Sequence, residues 1–411
     1  MSARAPIPYG RQSLDERDLE AVTKCLQGDW LTQGPTVEAF EKGLCEHTGA
    51  KYAVAVSNGT AALHLAYLAM GVTCGDVGVT AAVTFVATAN GLRYAGADVG
   101  FADIDPRTGL VTGETLQTAV DALGATGRSA KVLAPVDLTG QPFDRAAVRA
   151  VADRAGAMVL EDAAHSLGGE YEVDGVRHRV GSCAHAEAAI LSFHPVKHIT
   201  TGEGGAILTN DATLRRRLLE LRSHGIHREA SRFSRSETDP WVGPWYYEQT
   251  DLGFNYRITD MQCALGLTQL DKLPRFVERR RALAVRYGEA LAAAGLLDRL
   301  APLEVAPDIG HAYHLYVVQL RGRPGESLES LAQRRKDLFV ALRAEGLYCQ
   351  VHYVPVPWQP YYRAHPPLVG ADLPGAAAYY AASISLPMFP DLNDADVDRV
   401  VASLGLALGT A

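Results

Sequence analysis

Residues 158–165 read MVLEDAAH and residues 188–197 read AAILSFHPVK. Each is an apolar run of strand length that ends on groups able to do chemistry. Asp162 closes the first run and His165 stands three residues on, while Lys197 follows the second. Short, continuously apolar runs belong to strands buried on both faces, the condition of a parallel sheet covered by helices. A carboxylate at the C-terminal edge of such a sheet faces the crevice where ligands bind, although a plain strand-end cap would use the same residue equally well.

The pattern extends outward from these two runs. Strands are predicted at 53–57, 77–85, 99–104, 132–138 and 206–209, with helices at 60–70, 86–94, 115–123 and 146–155 between them. This alternation predicts an α/β fold whose central sheet is mostly parallel and wrapped on both faces. After about residue 210 the rhythm changes. A helix at 214–223 is followed by a polar, aromatic stretch at 224–249 with no period, a long loop of a kind that is often functional. Thr259 and Asp260 read as the cap of a long amphipathic helix ending near 294, with Pro274 as its expected break. Strands at 313–320, 348–353 and 382–386 and helices at 327–345 and 394–404 make a smaller α+β unit. The expected division is a large domain over 1–250, with an N-terminal segment, and a small C-terminal domain over 251–411.

A chain of 411 residues, 47% hydrophobic and 21% charged, has enough apolar mass for two cores and is not disordered. Its 39 basic and 47 acidic side chains give a net charge of -8, which disfavours a nucleic-acid partner. A small anion needs only a few placed donors and stays open. The six cysteines are scattered and none forms a Cys-x-x-Cys pair. MSARAPIPYG holds no apolar signal, and no run of about 18 apolar residues could span a bilayer. A reduced, cytoplasmic protein without a membrane partner is expected. His185, His194 and His198 lack a clear carboxylate partner, so no metal is expected. Gly202-Glu203-Gly204-Gly205 does not open a helix with nucleotide-fingerprint spacing.

Lysine is scarce, and that narrows the chemistry. Lys24, Lys42, Lys272 and Lys336 sit in polar-faced helical patterns, and Lys51 and Lys131 precede strands. Only Lys197 comes after a strand and beside a glycine-rich turn. A partly desolvated lysine amine can form a Schiff base with an aldehyde. Ser57-Asn58-Gly59-Thr60 stands between a strand and a helix, where backbone N–H groups and hydroxyls suit a phosphate or an ordinary helix cap. A lysine for an aldehyde, an aspartate for a pyridinium nitrogen and a helix N-terminus for a phosphate are together the parts of a pyridoxal-phosphate site.

Over nearly its whole length the chain resembles the DegT-type sugar aminotransferases. The likeness runs through LTQGPTVEAFE, SNGTAALHLA, TFVATAN, EDAAHSLGGEY, SFHPVKHITTGEGGAILTND, GFNYRITDMQCALGLTQLDKL, HLYVVQL, QVHYVP and SISLPMFPDL. It implies a fold-type I pyridoxal-phosphate transferase and an internal Schiff base on Lys197, which would then carry the proton between the cofactor and the sugar carbon. Asp162 would pair with the pyridine nitrogen, His165 with the cofactor's 3′ oxygen, and Phe85 would stack on the ring. Ala82 departs from the proline that relatives often carry shortly before that aromatic. Gly59, Thr60 and Ser192 would hold the phosphate, and Asn255 would reach the neighbouring subunit's cofactor, making the site a homodimer property.

Within the family, ITTGEGG, LRSHGI, PWYYE and GLYCQVHYVPV look most like the 4-aminotransferases of UDP-linked 4-keto-6-deoxy-N-acetylhexosamines of the pseudaminic acid type. L-Glutamate would be the amine donor and a nucleotide sugar the acceptor. Sugar 3-aminotransferases and sugar dehydratases of the same family are the alternatives, and relatives that dehydrate carry histidine where Lys197 stands. A regulator on an inactive transferase fold is a third reading, against which the complete Asp162, His165 and Lys197 set counts. Trp241, Trp245, Tyr246 and Tyr247 could line the sugar or base pocket, or pack the loop on a partner subunit. Arg228 and Arg257 could meet a diphosphate or a carboxylate, and His314 and His352, on small-domain strands, could face the cleft.

Overall fold

A computed structural model describes residues 5–236, 238–307 and 309–409. Its main sheet has seven strands in the order Tyr52–Val56, Gly205–Thr209, Ala188–Ser192, Met158–Asp162, Val132–Ala134, Val77–Ala81 and Asp98–Ala102. Gly205–Thr209 runs antiparallel to both neighbours. The remaining pairings are parallel, so the predicted mostly parallel sheet is present. Alternate residues divide between two apolar clusters: Val54, Val56, Ile190 and Ile207 join one, and Ala53, Ala55, Leu191 and Leu208 the other. Both faces are therefore buried, which is why the strands read as continuous apolar runs.

Several predicted strands stop early. The run at 77–85 leaves the sheet after Ala81, and the run at 132–138 after Ala134. Ala82, Val83, Val136 and Leu138 remain buried in the turns that follow. Burial makes them apolar, and apolarity alone does not distinguish a buried turn from a strand. The segment at 348–353 pairs over Leu347–Tyr348 and then through a single bridge from Gln350 to Ser385, and the strand expected from 313 begins at Tyr316 because Tyr313 lies in the left-handed region at φ 49°. His314 and His352 thus sit in irregular segments and not on strands. Helices Glu16–Leu26 and Pro35–Thr48 and the hairpin Glu170–Val173 with Val176–Arg179 were not anticipated.

The helix from Thr259 does not break at Pro274. It runs unbroken over Asp260–Ala293, opened by a capping box between Thr259 and Gln262. Its first half buries Cys263, Leu270 and Leu273 beneath the main sheet. Its second half buries Leu283, Tyr287 and Leu291 against the small three-stranded sheet of Leu300–Pro302, Tyr316–Leu320 and Ser383–Leu386. A proline costs a helix about 3 kcal/mol, and burying each of six such side chains returns about 1.5–3 kcal/mol. Lys272, read as lying on a polar face, is buried beside Asp18 and Asp15.

Candidate active site

The parallel strands end along one edge, and a cavity of about 930 Å³ opens there. Gly59, Thr60, Phe85, Asp162, His165, Ser192, Lys197, His314 and His352 all line it. Residues predicted from scattered segments thus converge on one space. Thr88, Tyr256 and Tyr353, for which the sequence alone gives no role, also line it. Thr88 lies in TFVATAN and Tyr353 in QVHYVP, both segments of the family likeness, but only the packed structure shows what they touch.

Asp162 is buried, and its carboxylate is fixed by two donors. Thr88 Oγ1 donates to Oδ2 at 2.6 Å, and the Ala164 N–H donates to Oδ1 at 3.2 Å. Burial raises its pKa, and these hydrogen bonds and the charge of Lys197 act the other way. Lys197 is pushed down to about 7 by burial, with Asp162 partly opposing. An amine in that range is available both as a nucleophile and as a proton carrier near neutral pH. Lys197 Nζ lies 3.4 Å from His314 Nε2.

Histidines and a tyrosine form one wall. The His165 and His314 rings lie 4.3 Å apart, and Tyr353 Oη is 3.4 Å from His165 Nε2. His352 Nδ1 meets Ser385 Oγ at 2.8 Å, and His198, which packs its ring 5.8 Å from that of His314 without lining the cavity, meets the Ala312 carbonyl through Nε2 at 3.0 Å. Burial drives all four well below the usual histidine range, His352 to about 3, and Lys197 adds to the effect. The wall is therefore neutral at physiological pH. His165 Nδ1 and His314 Nδ1 are buried without a partner among the described residues.

The N-terminus of helix Gly59–Ala69 lines the same cavity. Asn58 caps it by accepting from the Ala61 N–H at 2.8 Å, leaving the first N–H groups directed at the cavity. Two glycines make the approach possible. A Cβ on Gly59 would lie 3.0 Å from Ser192 Cβ, and one on Gly205 would lie 2.6 Å from the Asn58 carbonyl carbon. The site fits a flat pyridine aldehyde phosphate. It has a carboxylate for the ring nitrogen, an unpartnered His165 Nδ1 for a ring oxygen, a poised amine and an anion-binding helix end. Phe85, which is 55% exposed, offers an apolar face.

Other predicted residues lie outside this cavity in the single chain. Asn255 forms an isolated bridge with Ser223. Arg257 bridges Val56 and lines a second cavity of about 600 Å³ with Arg222 and Glu41. Trp241 and Trp245 are exposed, the Tyr246 ring packs 4.9 Å from Phe233, and Arg228 stands over Tyr247.

Residues 12–405 match the DegT/DnrJ/EryC1/StrS aminotransferase family. The chain is 37% identical over 401 residues to the Bacillus subtilis spore coat polysaccharide biosynthesis protein SpsC, covering 97% of this chain and 96% of that one. Among solved structures it is similar to Helicobacter pylori PseC, described as an aminotransferase of pseudoaminic acid biosynthesis, with TM-score 0.85 and 29% identity over 99% of this chain and 100% of the other. It is also similar to the putative sugar aminotransferase Spr1654 of Streptococcus pneumoniae in its PLP-form, with TM-score 0.83 and 25% identity over 99% of this chain and 100% of that one.

Proposed function

The chain belongs to the DegT/DnrJ/EryC1/StrS aminotransferase family, and from that premise we propose that it uses pyridoxal phosphate to move an amino group from L-glutamate to C4 of a UDP-linked 4-keto-6-deoxy-N-acetylhexosamine. The observation that carries the reading is the meeting of Lys197 and Asp162 in one cavity closed by the Gly59–Ala69 helix end. The C4 and UDP details draw on the resemblance carried by LRSHGI and GLYCQVHYVPV, and the likeness to PseC supports an amino-sugar product.

When bound, the cofactor supplies an aldehyde for amines and a protonated ring that takes up electrons from a broken C–H bond. Asp162, held by Thr88 and Ala164, would keep the proton on the ring nitrogen. His165 Nδ1 would bond the ring oxygen, and Gly59, Thr60 and Ser192 would orient the phosphate. Lys197 would bond the aldehyde carbon at rest and, once released, move the proton at that carbon and at the sugar carbon. Its pKa of about 7 lets it lose and regain that proton. Phe85 and Tyr353 would exclude water from the ring. Asn255 and the loop aromatics Trp245 and Tyr246, outside the cavity of one chain, would serve the site of a second copy. Arg257, His314 and His352 are proposed substrate contacts.

Incubated with pyridoxal phosphate, the protein is expected to gain a visible absorbance that Lys197→Ala abolishes. Mixed with glutamate and a keto-sugar nucleotide, it is expected to release 2-oxoglutarate. Consumption of the sugar with no 2-oxoglutarate would establish the dehydratase alternative instead.

A further inference from the structure

Arg280, in the long helix, is completely buried, and no carboxylate pairs with it among the described residues. Its Nη1 donates to three carbonyls, those of Tyr313 at 3.1 Å, His314 at 3.3 Å and Met388 at 3.0 Å. Its Nε and Nη2 have no partner among the described residues. A buried cation served only by neutral dipoles is costly. Burial alone lowers its pKa to about 10, so it still carries its charge near neutrality.

The carbonyls it holds belong to a strained turn. Tyr313 has φ 49°, a left-handed conformation that a residue bearing a side chain rarely adopts. The next residue, His314, brings its Nε2 to 3.4 Å from the Lys197 amine. We propose that Arg280 is a positioning residue: through the carbonyls of Tyr313 and His314 it fixes the His314 ring with an unprotonated Nε2 toward the Lys197 amine.

Charge and geometry support each other here. Lys197 and His314 can share one proton between Nζ and Nε2. The groups facing His314 are Lys197 and His198 from the loop after Ala188–Ser192, His165 from the loop after Met158–Asp162, and Arg280 from the long helix. None is an acid. Arg280 disfavours a proton on His314 but is no cause of the shift at Lys197, which Asp162 favours as a cation. The shared proton therefore stays on the amine, where the proposed reaction uses it. His314 Nδ1 then carries the ring hydrogen.

The inference rests on Lys197 being the reacting amine, but its test does not need turnover. Ring-nitrogen NMR of the full chain, with and without pyridoxal phosphate, reports the His314 state directly, with His314→Gln identifying the signal. A neutral, Nδ1-protonated ring is expected at every pH at which the protein stays folded. In Arg280→Met, checked by circular dichroism, His314 should take up a proton at higher pH than in the parent. Its kcat should fall about 10–100-fold, the usual effect of a small misplacement, with an acid limb displaced to higher pH. Arg280→Lys, which keeps the charge, should keep His314 neutral and recover part of kcat. A wild-type His314 that titrates near 6.5, or a folded Arg280→Met with the parent's His314 titration, would overturn the proposal. If Arg280→Met does not fold, the wild-type spectrum and Arg280→Lys still decide. Wild-type protein that transfers no amine would refute the reading of the reaction instead.

Discussion

Arg145 and Arg280 are both buried arginines near the site, and they are treated oppositely. Arg145 makes a two-pronged bond to Asp137, with both contacts at 2.7 Å, and lies 3.4 Å from Glu161. Its guanidinium also stands over Phe143 at 3.9 Å and Tyr171 at 4.6 Å. Burial opposes its charge, but Asp137 and Glu161 more than compensate, and its pKa rises. Among the described residues Arg280 meets only carbonyls, and its pKa falls to about 10. Lys197 resembles Arg280 more than Arg145, since burial outweighs Asp162 and takes it to about 7. A counter-ion turns a buried cation into a permanent strut. Without one, the charge is held at a disadvantage, and only that second arrangement gives an amine that can lose a proton near neutral pH.

The largest expected effect comes from the strut. Arg145→Met leaves Asp137 and Glu161 buried without their cation and should cost about 3–5 kcal/mol in denaturant unfolding. A loss below about 1 kcal/mol would break the comparison. The next test uses the sign of the lysine shift. Lys197 has its folded pKa near 7 and its unfolded pKa near 10.4. Below the folded value both states hold the proton, and the folded state carries the full burial penalty. As pH rises from about 7 to about 10.4 the folded amine is neutral while the unfolded one is still charged, so this residue's contribution to stability improves. The wild-type protein without cofactor should therefore gain stability relative to Lys197→Met across that window. Parallel curves would show that the amine is not held at a disadvantage. The smallest effect is expected from Thr88→Val, which removes one hydrogen bond to Asp162. It should cost about 1–2 kcal/mol, raise the Asp162 pKa further and weaken cofactor binding in a spectroscopic titration.

Much of the site was legible because its residues end strands or open helices. Asp162, Ser192, Lys197 and Gly59 each follow an apolar run, and a parallel sheet brings the ends of such runs to one edge. His165 came with Asp162, three residues on. What escaped the sequence was set by partners far along the chain. Thr88 is 74 residues from the carboxylate it orients, and Tyr353 is 188 from His165. Pro274 reads as a helix break because its local cost is visible, whereas the two cores that keep the helix continuous are not.

The run of Arg279, Arg280 and Arg281 shows where the division falls. By sequence the three are one polar cluster on a helix. In the fold, Arg279 reaches Asp394 at the surface, Arg281 bonds the His311 carbonyl, and Arg280 points inward to the carbonyls beside His314. The alternation of strands and helices in the main sheet, the residue types at its edge and the single well-placed lysine were set by local pattern, because periodicity and strand ends are local properties. Which arginine loses its water, and which histidine meets Lys197 across 117 residues of chain, depended on packing between elements, because desolvation is set by whatever else occupies the surrounding space.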